Sequence, residues 1–232
     1  MTPRDIKVTF DFRQDTPKGK DPDRYSKTLR LYHKLLWSKP LPGGDLLALD
    51  DMTRSSYLHY RSSAGEDFCL ASDAVVPTFR WHPNIKRLIS GEGLDEFNAI
   101  GYTIGGMMLF PGNRIGGKWT INQARGCTKR IADRFDLTLE CIRRHYKGGA
   151  SPLSGALARY GTFFDLFRDF TGYVKFFLLQ DLVSADGTVL IAPPFDDFRE
   201  SPIPATVDEY RAYKDASIAF IKARNQRIAA SL

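Results

Sequence analysis

In the stretch GGMMLFPGNRIGGKWTINQARG (105–126), Gly112, Gly117 and Lys118 match G-x-x-x-x-G-K, the opening of a phosphate-cradling loop. Such a loop needs a strand before it, Ser or Thr directly after the lysine to reach the metal, and a helix whose N-terminus faces the phosphates. Here Trp119 follows Lys118, and the aromatic, β-branched run WTI reads as the start of another strand. A β-hairpin between strands over 102–110 and 118–122 then explains the glycines as turn formers. Residues 112–118 are expected to form an exposed turn that binds no nucleotide. FFLLQD (176–181) resembles the apolar run and aspartate of a second nucleotide motif, and an amphipathic helix accounts for it equally well.

A different anion site is suggested by Asn122, Gln123 and Arg125 at the predicted strand-to-helix junction. Free amides and a positive helix end can meet an anion there beside a guanidinium. Arg125 in the first turn of a helix is badly placed against the dipole unless an anion offsets it. Arg224 falls on the inner stripe of the last helix with Tyr210, Tyr213, Ile221 and Ile228, and a buried guanidinium must meet a carboxylate or a bound oxyanion. The expected ligand site is therefore Asn122, Arg125, Arg134 and Arg224, taking a nucleotide or nucleic-acid phosphate. No catalytic residue, metal or cofactor is assigned.

Other spacings have structural readings beside functional ones. Asp133, Asp136 and Glu140 share roughly one helix face, where Arg130, Arg134, Arg143 and Arg144 can pair with them or a hard cation could bind. Cys141 and His145 stand at i, i+4, which suits a thiolate–imidazole pair or two ligands of a soft metal. His33, His59 and His82 are scattered, and His33 reads as a hydrogen-bonded edge residue. FFDLF (163–167) loosely resembles aromatic-aliphatic peptides that dock on bacterial replication clamps. That offers the alternative of a toxin-like or regulatory interaction protein. Phe164 and Phe167 nonetheless lie on an apolar stripe that should pack inward.

The elements that must position these residues are legible from periodicity and caps. KVTFDF (7–12) alternates like a strand, and DTPKGKDPD (15–23) is a turn-rich loop. Ser26 should cap a helix running to about Trp37, with Leu29, Tyr32, Leu35 and Leu36 on one side. Short strands are expected at 46–49, 57–60 and 68–71, brief helices at 84–90 and 94–100, and a buried strand at 102–110. The second half reads as helices: one over 123–146, one from Ser151-Pro152, one over 172–183, and a last one opened by a Thr206/Glu209 capping box and running to Arg227. The class is α+β, with a strand-rich N-terminal half packed on a helix-rich C-terminal half in one domain over 1–232.

Composition sets outer bounds. A chain of 232 residues can bury a full core without disulfides or metal. The three cysteines (69, 127 and 141) are odd in number and widely spaced, which points to a reducing compartment. The N-terminus carries charges where a signal peptide needs an apolar run, and no stretch has the ~20 apolar residues of a membrane span, so a cytoplasmic protein is expected. The formal charge is +6. It is concentrated in 111–147, with nine basic against three acidic residues, and in 211–232, with five against one. Such segments attract anionic ligands, nucleic acid included, or lie on solvated helix faces.

The blocks TIGGMMLFPG, TINQARGC, DRFDLTLECIRRHY, SPL, FFDLF and YVKFFLLQDLV, with the N-terminal DFRQDTPKGKDPDRYSKTLRLYHKLLWSKPLP, resemble a bacterial family of unknown function. The resemblance spans nearly the whole chain and implies one intact domain in a bacterial cytoplasm. It brings no activity or catalytic residue with it.

Overall fold

The structure is a computed structural model that describes residues 2–51, 57–76 and 94–232. Ser26 accepts the Leu29 amide on its side chain at 3.0 Å and starts the helix where its position predicts. A single turn, α1 (Pro22–Tyr25), precedes α2 (Lys27–Trp37). Leu29, Tyr32, Leu36 and Trp37 of α2 are buried. The alternating 7–12 segment is a correction: it forms turns and a 3-10 stretch (Phe12–Asp15) rather than a strand. Its alternation still records burial, since Phe12 is fully buried against Tyr32. The Lys7 amide bonds the Tyr32 hydroxyl, and that of Phe12 the Tyr102 carbonyl, so no strand partner is needed.

Strands β1 (Asp50–Asp51), β2 (Leu58–Arg61), β3 (Asp67–Ala74) and β4 (Met107–Pro111) form an antiparallel sheet in that order. In register, Leu58 faces Leu70, Tyr60 faces Phe68, and Asp73 faces Met108. The two-residue period places Ser72 and Asp73 of β3 on opposite faces of the sheet. The expected helix at 94–100 is α3 (Leu94–Gly101), whereas 84–90 lies outside the described residues. Between α3 and β4 the chain turns through Ile104–Gly106. A Cβ on Gly105 would stand 2.6 Å from Asn225 Oδ1, and one on Gly106 2.2 Å from the Gly101 carbonyl oxygen. Glycine there lets the strand entry touch the last helix.

The hairpin expected after β4 does not form. The loop passes Gly116 and Gly117, both at positive φ, and enters α4 (Ile121–Cys127). Thr120 caps it in a box with Gln123, so local capping chemistry overrides the β-propensity of WTI. The single helix expected over 123–146 is also broken. After α4 the chain makes two left-handed steps at Ala132 and Asp133, and α5 runs over Phe135–Tyr146. The Asp133 amide bonds the Arg125 carbonyl and the Arg125 guanidinium returns to the Asp133 carbonyl, which replaces helical bonds across the break.

The remaining helices are α6 (Ser154–Arg159), α7 (Gly161–Asp165), α8 (Phe170–Phe176) and α9 (Val207–Ala230). The Thr206/Glu209 box opens α9 as expected. A single core cluster runs from Ile6 to Ile228, with Phe163, Phe164 and Phe167 at its centre and fully buried. The class is α+β, with the strands in the N-terminal half and most of the helices in the C-terminal half. No described helix is long and apolar enough to cross a membrane.

Candidate functional site

Asn122 and Arg125 lie one turn apart on α4 and both reach the end of β3. Asn122 Nδ2 stands 3.5 Å from the Ser72 carbonyl oxygen, and Arg125 Nη1 donates to that of Ala74 at 3.1 Å. The Arg125 guanidinium, 1% exposed, spends its other donors on Asp73 at 2.5 Å, Thr138 Oγ1 at 3.2 Å and the Asp133 carbonyl oxygen at 2.7 Å. Asp133 Oδ1 adds a second carboxylate at 3.4 Å. Arg125 thus stands near the end of a short helix, and carboxylates of the protein supply its negative charge.

The other two arginines lie elsewhere. Arg134 forks onto Asp136 and binds the carbonyls of Ala192, Pro194 and Pro202. Arg224 is buried on α9 as its stripe predicts, yet among the described residues it meets no carboxylate. It donates to the carbonyls of Phe177, Gly105 and Met107 at 2.8–3.0 Å and lies over the Trp37 ring. Its Nη2 has no hydrogen-bond partner among the described residues. Arg125 and Arg224 share no hydrogen-bond partner, so the two do not close on a common acceptor.

The acidic residues of the 133–140 region are taken up separately. Asp133 goes to Arg125, Asp136 to Arg134, and Glu140 to both Arg143 and Arg144. Among the described residues, no group of three or more Asp, Glu, His or Cys is arranged to hold a metal ion. Burial pushes the Cys141 thiol up to about 12, too high for a nucleophile at neutral pH. His33 is buried deeper than an edge residue. Its Nδ1 accepts from Trp37 Nε1 at 3.0 Å, so Nε2 carries the proton and donates to Ser72 Oγ at 2.9 Å. Burial, helped by Arg224, pushes its pKa down to about 3, so the ring stays neutral.

The phosphate-loop question closes on the α4 cap. Strand, loop and helix do follow in the right order, but the helix begins after Thr120. The Thr120 side chain accepts the Gln123 amide at 3.3 Å, and Gln123 Oε1 accepts the Thr120 amide. Two of the amides at the helix start are thus taken by the cap, and Lys118 is exposed. Lys118→Ala is expected to change stability by less than ~0.5 kcal/mol and to leave any binding of ATP unaltered. An affinity loss on that change alone, read by calorimetry, would restore the loop as a nucleotide site.

A cavity of about 350 Å³ opens on the far side of Arg125, between the 19–23 turn and the end of β3. Asp21, Asp23, Asp73 and Asp133 line it, with Lys20 and Tyr102. Asp21 Oδ1 caps α1 by accepting the Asp23 amide at 3.1 Å. Among the described residues Asp23 Oδ1 is sealed from solvent and meets no donor, while the Ala74 amide bonds the same carboxyl. Burial, then the charges of Asp73 and Asp21, hold the Asp23 carboxyl well above its usual range. Burial lifts Asp73 to about 6 against the pull of Arg125, and Asp133 is raised by burial as well. Carboxyls raised in this way exchange protons closer to physiological pH than ordinary ones do.

Sequence reasoning passed over Lys20, Asp21, Asp23 and Asp73. The available signal was two aspartates flanking Pro22 and a third closing the apolar strand FCLASDA. Their convergence is a tertiary fact, because some fifty residues separate them. No curated protein and no solved structure matches the chain. Agreeing with the order of sequence blocks, a family model matches residues 6–228, and the chain belongs to that family, a family of unknown function (DUF6994).

Proposed function

We propose that the cavity beside Arg125 is the functional site and that it takes a small ligand bearing an ammonium group, with Asp23 releasing its proton to solvent as the ligand enters. The observation that carries this reading is Asp23, a cavity-lining carboxyl whose Oδ1 meets no donor among the described residues and whose neighbour is another carboxyl. The wall carries four carboxyls and one lysine, so it offers acceptors to an ammonium and few donors to a phosphate. An ammonium group would supply the missing donor and countercharge, lower the Asp23 pKa and release its proton. An anion at Asn122, Arg125, Arg134 and Arg224 has less support, since the guanidinium donors are largely taken by groups of the protein. We further read the chain as one domain of a bacterial cytoplasmic protein, on the support of its single core, its resemblance and its unpaired cysteines.

Calorimetry with putrescine and with agmatine tests this in two buffers of different ionisation enthalpy. The parent is expected to bind with proton release near pH 7, and Asp23→Asn to weaken binding at least tenfold and abolish the release. Binding of neither amine, or binding that Asp23→Asn leaves unchanged, would refute the site.

A pH effect follows independently of any ligand. A carboxyl with a raised folded-state pKa binds more protons folded than unfolded, so its contribution is fully present below ~4 and is lost as pH rises through its folded value. The melting temperature of Asp23→Asn relative to the parent should therefore increase from pH 4 to pH 7. A flat or falling difference across that window would mean that Asp23 is ionised in the folded protein.

A further inference from the structure

A second groove, of about 480 Å³, lies between the 39–42 loop and the start of α8, and its charge is opposite in sign to that of the acidic cavity. Lys39, Arg168 and Lys175 line it, with one carboxylate, Asp169. Asp169 Oδ1 is engaged by the Gly172 amide at 2.7 Å, as the cap of α8. None of the three cations has an ion pair or a side-chain hydrogen bond among the described residues. This contrasts with Arg125, Arg134, Arg143, Arg144 and Arg227, each of which has a carboxylate partner.

Lys39 is the informative member. It is half-buried, and its Nζ stands 4.7 Å from the ring centroids of both Trp37 and Phe176. Those rings stabilise the ammonium in part, but Arg224 repels it from behind. Burial, then Arg224, pushes its pKa down to about 8. An anion in the groove would relieve both effects. Arg168 holds a left-handed backbone at φ 67°, an uncommon conformation for a residue with a side chain. Loop residues Pro40 and Pro42 stiffen the opposite wall.

We propose that this groove binds the phosphate groups of a small anionic ligand, with Lys39 as the inner contact and Arg168 and Lys175 as the outer ones. The site uses none of the residues of the acidic cavity, so each proposal stands or falls alone.

Calorimetric titration of the full chain with sodium pyrophosphate at low ionic strength provides the test. Four proteins are compared: the parent, Lys39→Met, the pair Arg168→Gln with Lys175→Gln, and a control pair, Lys129→Gln with Lys147→Gln, on other exposed surface. One-site binding by the parent is expected. Lys39→Met and the groove pair should each weaken it at least tenfold, while the control pair leaves it unchanged. Methionine keeps the packing of the lysine stem, so Lys39→Met should melt no lower than the parent without pyrophosphate and gain no thermal shift with it. If that variant does not fold, the exposed groove pair decides the question. Absence of pyrophosphate binding by the parent would overturn the proposal. An equal loss in the groove and control pairs would also overturn it, since that is diffuse attraction to a chain of net charge +6.

Discussion

Arg134→Ala is expected to destabilise the protein by ~3–5 kcal/mol, the range for breaking a buried ion pair from one side. The guanidinium is fully buried and forks onto Asp136, at 3.1 Å from Nε to Oδ1 and 2.6 Å from Nη2 to Oδ2. It also donates to the carbonyls of Pro194 at 2.8 Å, Pro202 at 2.9 Å and Ala192. Those acceptors belong to the 192–202 segment, whose three prolines bring no amides of their own. Removing Arg134 leaves a carboxylate of 8% side-chain exposure and three carbonyls short of donors. A urea titration measures the loss, and hydrogen exchange should show the Ala192 amide, which donates to Asp136 at 3.1 Å, losing protection. Arg134→Lys should recover little, because an ammonium cannot reproduce the planar fork. A loss below ~1 kcal/mol would mean that the 192–202 segment is held by other contacts.

Phe167→Ala should cost a similar ~3–5 kcal/mol, by cavity formation rather than by unpaired charge. The ring is fully buried and packs against Phe163, Tyr173, Phe176 and Phe177 with centroids 5.1–5.4 Å apart. At this chain length such a loss lowers the melting temperature by roughly 6–20 °C. Phe164→Ala should behave alike, since that residue is also fully buried. The burial of both rings makes FFDLF a core element, and docking through them would require the helices around α7 to open. Variants as stable as the parent that lose a protein partner would return the docking reading to favour.

Stripes and caps were legible along the chain because their causes are local. Ser26, Thr206 with Glu209, and the Phe164/Phe167 stripe are each decided within one or two helical turns, where side chain and backbone meet regardless of the rest of the fold. The burial of Arg224 was legible for the same reason. Its acceptors were not: they are carbonyls of Gly105, Met107 and Phe177, delivered from over forty residues away.

By itself the sequence determined the α+β class, the capped starts of α2 and α9, the inward face of α9 and the core role of FFDLF. Tertiary structure alone decided that 7–12 is buried without being a strand, since amide partners came from Tyr32 and Tyr102 rather than a neighbouring strand. It also decided the break between α4 and α5, where Arg125 exchanges bonds with Asp133 across two left-handed residues. The same break brings Asp133 up to Asp73, beside Asp23, and so creates the acidic cavity. The physical reason is common to all three cases: periodicity records which face of a segment is buried, whereas the partner that satisfies a buried polar group is set by chain elements distant in sequence.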